Sequence, residues 1–314
     1  MNIPVIIVHK GNSFYLSPVL EQIRLFNPEN AIYLISDISK QKYPFVNYCN
    51  IEDYMDRANE FEKRYVHLSS NPYFYELICF QRWFIILDFV IQHRIEHFLC
   101  MDSDVLLYCR IDDTLNKHIG CDFTICDKTG PGCSLFNVDS LKKFCDYISD
   151  LYSEKTKSRL FDFYQSFIDK KSLGGFCDMI AFTWYQNDTE SLKIIDISIP
   201  ENGACFDACL TASSGFEFAS GLKKIYWKDN LPYGKLLSDG SLVRFYCLHF
   251  QGRTKYSIYK YALDKNKVHR TDVAYTLKWM FSKAILIARL QGIKKAIKNP
   301  QILANFIKKK FFNK

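Results

Sequence analysis

Two carboxylates separated by one residue, Asp102 and Asp104, interrupt an otherwise apolar run from His97 to Leu107. The flanks, His97-Phe98-Leu99-Cys100-Met101 and Val105-Leu106-Leu107, have the composition of buried strand. Burying two unpaired carboxylates costs several kcal/mol or forces their neutralisation. A divalent cation is the simplest compensation, and hard oxygen ligands suit Mg²⁺ or Mn²⁺. Both carboxylates reach one ion only if the chain bends at this point. Taken alone, the motif reads more readily as a strand ending in a solvated Asp-Ser-Asp turn. A second constellation lies about 145 residues downstream. His249 closes the apolar run Leu242–Phe250 and is followed by Gln251-Gly252-Arg253-Thr254-Lys255. Gly252 allows a backbone to approach an anion closely, and Lys255 supplies a cation beside it. A single histidine at a strand end is more often structural than a ligand, so on these residues alone His249 stays open between the two.

The elements around these residues must carry them to one place. Ile3–Val8 is a buried first strand, and the loop His9-Lys10-Gly11-Asn12-Ser13 follows. A helix is expected from Ser17-Pro18, with Ser17 as N-cap and Pro18 at its first position. Its apolar face is Val19, Leu20, Ile23 and Phe26, and Asn27-Pro28 ends it. Ala31–Asp37 is a second strand. This β-α-β opening predicts an α/β fold with a mainly parallel sheet and ligands at the strands' carboxyl ends. His9–Ser13 and Ser36-Asp37 would lie on that rim. Neither G-x-G-x-x-G nor G-x-x-x-x-G-K-[ST] occurs, so no dinucleotide fingerprint or P-loop is expected.

Residues 40–70 read as irregular and polar. Leu77, Phe80, Phe84, Leu87 and Ile91 recur at helical spacing within Tyr73–Gln92, and Arg82 stands among them. It is either a solvated arginine or a cation reaching toward phosphates held at the metal. Asp112-Asp113 are expected to cap a short helix. Asp122–Cys126 and Cys133–Val138 read as strands, and Ser140–Tyr152 as a helix. A glycine-bearing loop, Lys171–Asp178, opens a helix through Trp184, where Asp178 suits the helix N-terminus. Ile194–Ile199 is a further strand. Residues 203–235 lack periodicity, and such a segment in a compact domain is often functional.

The chain has 314 residues, 48% of them hydrophobic, with 26 Phe and 20 Tyr. That is ample for a large core. We expect one catalytic domain over residues 1–271 and a basic amphipathic helical segment over 272–314. The net charge is +7, yet Val273–Lys314 holds ten Lys or Arg and no acid, so the body carries about −3. In that tail Leu277, Phe281, Ile285 and Ile293 line one stripe and lysines line the rest. This suits an anionic membrane surface rather than nucleic acid. The twelve cysteines show no paired C-x-x-C spacing, and no secretory signal precedes them. They are expected to be reduced in a cytoplasmic protein held peripherally at the inner face of the membrane.

Taken in order, these features resemble nucleotide-sugar glycosyltransferases of the GT-A fold. They are most similar to the retaining glycosyltransferase family 8 group, which includes bacterial lipopolysaccharide galactosyl- and glucosyltransferases. Asp102-Ser103-Asp104 matches the group's Asp-x-Asp, and His249, Gly252 and Lys255 match its His-x-x-Gly-x-x-Lys. The resemblance implies a GT-A, Rossmann-like sheet and a hexosyl transfer from a UDP-sugar to a glycan or lipid-linked glycan. It implies that Asp102, Asp104 and His249 hold Mn²⁺ (or Mg²⁺). The donor-binding set that it implies is His9, Lys10, Asn12, Tyr15, Arg82, Asp102, Ser103, Asn137, Gly252 and Lys255, with Tyr15 or Phe14 stacking on the base. Retention needs no strong base, whereas an inverting enzyme would need a carboxylate such as Asp178 or Glu217. This chain departs from the group at Tyr256-Ser257 (usually Pro-Trp), at Gly130-Pro131-Gly132 (usually Asn-Ala-Gly) and at Phe176-Cys177-Asp178 (usually Asp-Gln-Asp).

Overall fold

The computed structural model describes residues 2–38, 41–127, 130 and 132–263. The basic tail and the expected boundary at residue 271 lie outside the described residues. Strand β1 (Val5–His9) leads through α1 (Leu16–Phe26) to β2 (Ile32–Ser36) and β3 (Asn47–Asn50). Helices α2 (Asp56–Glu62) and α3 (Tyr73–Gln92) precede β4 (His97–Met101), β5 (Val105–Leu107) and α4 (Ile111–Leu115). Next come β6 (Phe123–Ile125), β7 (Cys133–Asn137), α5 (Val138–Leu151), α6 (Lys157–Asp169), α7 (Asp178–Asp188) and β8 (Ile194–Asp196). The short strands β9 (Ala204–Cys205), β10 (Phe218–Ala219), β11 (Leu222–Lys223), β12 (Tyr226–Lys228) and β13 (Leu231–Lys235) follow. Strands β14 (Leu242–Phe245) and β15 (Cys247–His249) and a 3-10 helix, Gly252–Lys260, complete the described chain.

The result is a mixed α/β fold. Seven strands form the central sheet in the order β3-β2-β1-β4-β7-β6-β8. Its pairings are parallel except for those of β7, which runs against both neighbours. Strand β4 alternates between the two halves of the core: Phe98 and Cys100 face one, Leu99 and Met101 the other. Burial on both faces is what its unbroken apolar run demands. Helix α3 covers one face, where the fully buried Trp83 meets Phe136, Phe144 and Phe182. Leu77, Phe80, Phe84 and Leu87 are buried as their spacing predicts, whereas Ile91, in the last turn, is exposed. Tyr75, Cys79 and Arg82, spaced by four and three residues, share one side of this helix.

Several local expectations are corrected. Helix α1 begins at Leu16, so Ser17 lies inside it and its hydroxyl pairs with the Tyr43 hydroxyl and Lys42 Nζ. Pro18 is tolerated there because a first-turn N–H has no intrahelical acceptor. Asp112 accepts from Ile3 N at 2.9 Å and Asn30 Nδ2 at 3.1 Å, so it ties down the start of β1 instead of capping α4. Residues 40–70 are not wholly irregular: Asn47–Asn50 adds an edge strand parallel to β2, and α2 follows. Residues 203–235 contribute short strands, several of them to a second sheet of order β12-β13-β14-β9. Among the described residues, no helix is long and apolar enough to cross a membrane.

Candidate active site

Strand pairing brings the two distant motifs together. Strand β4 ends at Met101, and Asp102 N donates to Gly132 O at 2.8 Å. Val105 N donates back to Asp102 O at 3.2 Å, closing the bend on which both carboxylates stand. Strand β5 then pairs antiparallel with β15, with Val105 opposite His249. Phe250 N donates to Asp104 O at 3.0 Å and extends the pairing past the turn.

Asp102, Asp104 and His249 offer ligand atoms that all lie within 4.8 Å of one another. His249 Nε2 stands 3.4 Å from Asp104 Oδ1 and 3.7 Å from Asp102 Oδ2. Its Nδ1 is 2.8 Å from the Ala208 carbonyl, which can only accept, so Nδ1 carries hydrogen and Nε2 is turned to the carboxylates. Such an outer partner fixes the ring orientation of a metal-binding histidine. Burial opposes a charge on this imidazole, but Asp104 and Asp102 outweigh it and raise the His249 pKa to about 9. Burial likewise pushes the Asp104 carboxyl up, yet His249 and Lys255 bring it down to about 2. Asp102 is raised, because its desolvation exceeds the help it receives from Arg82.

A second layer holds the first. Arg82 Nη1 donates to Asp102 Oδ1 at 2.6 Å and Nη2 to Asp178 Oδ2 at 2.7 Å. Asp178 also accepts from Trp83 Nε1 at 3.2 Å and from Met179 N at 3.0 Å. Loop pairings, Ser70 N to Gly174 O and Phe176 N to Leu68 O, set α7 beside α3 and so bring Asp178 to Arg82. Lys255 Nζ lies 2.9 Å from Asp104 Oδ2 and 4.9 Å from the centre of the Tyr15 ring. His249 N donates to Asp207 Oδ2 at 3.1 Å, and Asp207 Oδ1 accepts from Lys223 Nζ at 2.6 Å. Asp207 and Lys223 are fully buried and were not singled out in the sequence. Their only signal there is a position inside the aperiodic segment 203–235.

The other candidate residues are placed unevenly. His9 ends β1 beside the turn, and its Nδ1 lies 2.9 Å from Ser103 Oγ. It is buried, its Nε2 has no hydrogen-bond partner, and burial followed by the Lys255 charge lowers its pKa to about 4. Tyr15 stands edge-on to His9, whereas the Phe14 ring is already stacked on Tyr256 at 5.5 Å. Lys10 and Asn12 are exposed on the β1–α1 loop. Gly252 opens the 3-10 helix at φ +59°, where a side chain would be strained.

Asn137 is a correction. Because β7 is antiparallel to β4, it faces His97, at the end of β4 remote from Asp102. There it caps α5 by accepting from Ser140 N at 2.8 Å. Asp178, a candidate base, has its two oxygens committed to Arg82, Trp83 and Met179, so it positions Arg82 instead. Glu217, the other candidate base, is held by Tyr226 OH and Lys224 Nζ, and those bonds lower its pKa. The nearby thiols Cys100 and Cys177 are pushed up to about 12 by burial, so neither is a nucleophile at neutral pH.

The donor set fits a hard divalent cation: two carboxylates and an imidazole nitrogen turned toward them. Gly132 supports the fit. A Cβ there would lie 2.6 Å from His249 Cε1, 3.0 Å from His249 Nδ1 and 3.2 Å from Asp102 Oδ2.

No protein-family model matches the sequence, and no curated protein matches it. Among the solved structures similar to this chain are glycosyltransferases and a cytidylyltransferase from Leptospira borgpetersenii. Mouse xyloside xylosyltransferase 1 is 12% identical over 62% of this chain and 85% of its own, with a TM-score of 0.43. The bifunctional glycosyltransferase WbbM is 10% identical over 83% of this chain and 50% of its own, at 0.41. The galactosyltransferase LgtC, solved with donor and acceptor sugar analogues, is 12% identical over 62% of this chain and 73% of its own, at 0.35.

Gly132→Ala tests the packing of the cluster. The added methyl meets a ring pinned by Ala208 O and a carboxylate pinned by Arg82, so Mn²⁺ affinity should fall about 10–100-fold while the circular dichroism spectrum is retained. Unchanged affinity in calorimetry would contradict the arrangement.

Proposed function

We propose that this chain is a metal-dependent GT-A glycosyltransferase that moves a hexose from a UDP-sugar to a hydroxyl of a cell-surface glycan such as lipopolysaccharide or capsule. The observation that carries this reading is the convergence of Asp102, Asp104 and His249, with Lys255 bonded to Asp104, beside the carboxyl end of β4. Ligands of α/β sheets bind at that edge.

Asp102, Asp104 and His249 would hold Mn²⁺ or Mg²⁺. The bound ion supplies Lewis acidity toward the diphosphate leaving group. Lys255 presents its ammonium to the same developing charge, a preorganised contribution that needs no rearrangement during reaction. Arg82, locked between Asp102 and Asp178, keeps Asp102 oriented. His9 anchors Ser103 through Nδ1. The engagement of Asp178 and Glu217 by other partners favours retention, in which the departing phosphate oxygen itself takes the proton of the attacking hydroxyl.

We extend the proposal to where the enzyme works. A slightly acidic body with a basic amphipathic segment at 273–314 suits cytoplasmic attachment to an anionic membrane through that segment, beside a lipid-linked acceptor. The full chain should float with phosphatidylserine vesicles at low salt and a chain cut at Thr271 should not; equal flotation of both would remove the tail from this account.

The catalytic reading is tested by UDP release from a panel of UDP-hexoses with Mn²⁺, with and without chelator. Turnover should require the metal, and Asp104→Asn should lower it by at least about 10²-fold, the scale of losing one preorganised charge-stabilising group. Full activity in that variant, or turnover that ignores the chelator, would contradict the metal assignment.

A further inference from the structure

We infer that Glu76 is a positioning residue: it fixes the loop that places Asp178 and, through Asp178, the pairing of Arg82 with Asp102. The inference rests on the metal-dependent transferase reading for the role of Asp102, whereas the placement of Asp178 can be tested by itself. Glu76 lies in the first turn of α3 and is only 1% exposed. A carboxylate buried to this extent has to be hydrogen-bonded. Its Oε2 accepts from Ser69 Oγ at 3.0 Å and from Asn71 Nδ2 at 2.8 Å. The helix dipole alone would favour an acid here, but it does not call for one buried beneath two donors. Both donors come from the loop before α3, so Glu76 ties that loop to its own helix.

The same loop grips the segment that leads into α7. Ser70 N donates to Gly174 O at 2.9 Å, and Ser70 Oγ accepts from Gly174 N at 2.8 Å. Phe176 N donates to Leu68 O at 2.7 Å, and Ser69 pairs with Gly175 in an antiparallel bridge. The two backbones approach so closely that a Cβ on Gly175 would overlap the Leu68 carbonyl and Ser69 Cα. Asp178 stands two residues beyond Phe176, so a shift of the loop reaches it with little slack. Its Oδ2 accepts from Arg82 Nη2 at 2.7 Å and from Trp83 Nε1 at 3.2 Å, both on α3. Arg82 is shared with Asp102. Displacing Asp178 therefore alters the support that one carboxylate of the metal cluster receives.

The indole N–H resonance of Trp83 in an NMR spectrum of the full chain, assigned with Trp83→Phe, reports the bond to Asp178. Glu76→Ala should move it toward its position in Asp178→Ala, while the resonance of Trp227, in the second sheet, stays in place. Calorimetry should show Mn²⁺ affinity lowered about tenfold, the lower end of the range for partners outside the ligand set. Glu76→Gln, which keeps an acceptor oxygen, should hold both readouts at their wild-type values. Should Glu76→Ala not fold, Ser69→Ala combined with Asn71→Ala removes the same two bonds from the loop side and should give the same shift. An unmoved Trp83 resonance in these variants, or an equal displacement in Glu76→Gln, would overturn the assignment. A moved resonance with unaltered Mn²⁺ affinity would overturn the link from Asp178 to Asp102. A moved resonance in a protein whose wild type binds no Mn²⁺ would support the placement of Asp178 and contradict the metal reading alone.

Discussion

Asp104 is the buried charge around which the surrounding structure is arranged. A carboxylate at this depth is tolerated only when it is paired and hydrogen-bonded. Its partners come from the end of the described chain: His249 from β15 and Lys255 from the 3-10 helix that follows. The antiparallel pairing of β5 with β15 makes that possible, since it sets Val105 opposite His249 and carries the chain directly onward to Gly252. Asp102 imposes the same demand on other elements. It draws Arg82 from α3, and Arg82 in turn draws Asp178 from the start of α7. Four segments remote in sequence are thereby fixed at one edge of the central sheet.

The same logic extends beneath the cluster. His249 is held from behind by the Ala208 carbonyl and the Asp207 carboxylate, and Asp207 is neutralised by Lys223 from β11. A buried ion pair of this kind is weak testimony for stability, but breaking it by removing one partner is costly. Here it secures the backbone of a residue whose side chain must point at two carboxylates. Gly132 completes the enclosure by what it lacks, because any Cβ would occupy the space of the His249 ring.

Much of this was legible in the residues. The apolar run of β4 and the helical periodicity of α3 identified two central elements, and the β-α-β opening indicated a mainly parallel sheet. The types and order of Asp102, Asp104 and His249 anticipated a cluster that the fold brings within 4.8 Å. Strand direction was not legible. Asn137 ends a strand near the site in sequence, but the reversal of β7 carries it to the opposite end of β4. Asp207 and Lys223 were hidden because a single acid and a single base in an aperiodic stretch carry no spacing signal. Gly130-Pro131-Gly132 stood out only as a departure from Asn-Ala-Gly, because the steric need at Gly132 arises from Asp102 and, more than a hundred residues away, from His249. The edge strand Asn47–Asn50 escaped because its side chains are polar and partly exposed, so no apolar alternation marks it.

The central claim is that Asp102, Asp104 and His249 together hold a divalent cation that also engages a nucleoside diphosphate. Anomalous diffraction from crystals grown with Mn²⁺ and UDP tests it most directly. The account predicts one manganese peak within coordination distance of all three side chains, about 2.0–2.3 Å, with the diphosphate against the same ion and Lys255. A manganese peak elsewhere, or a diphosphate bound away from these residues, would contradict it.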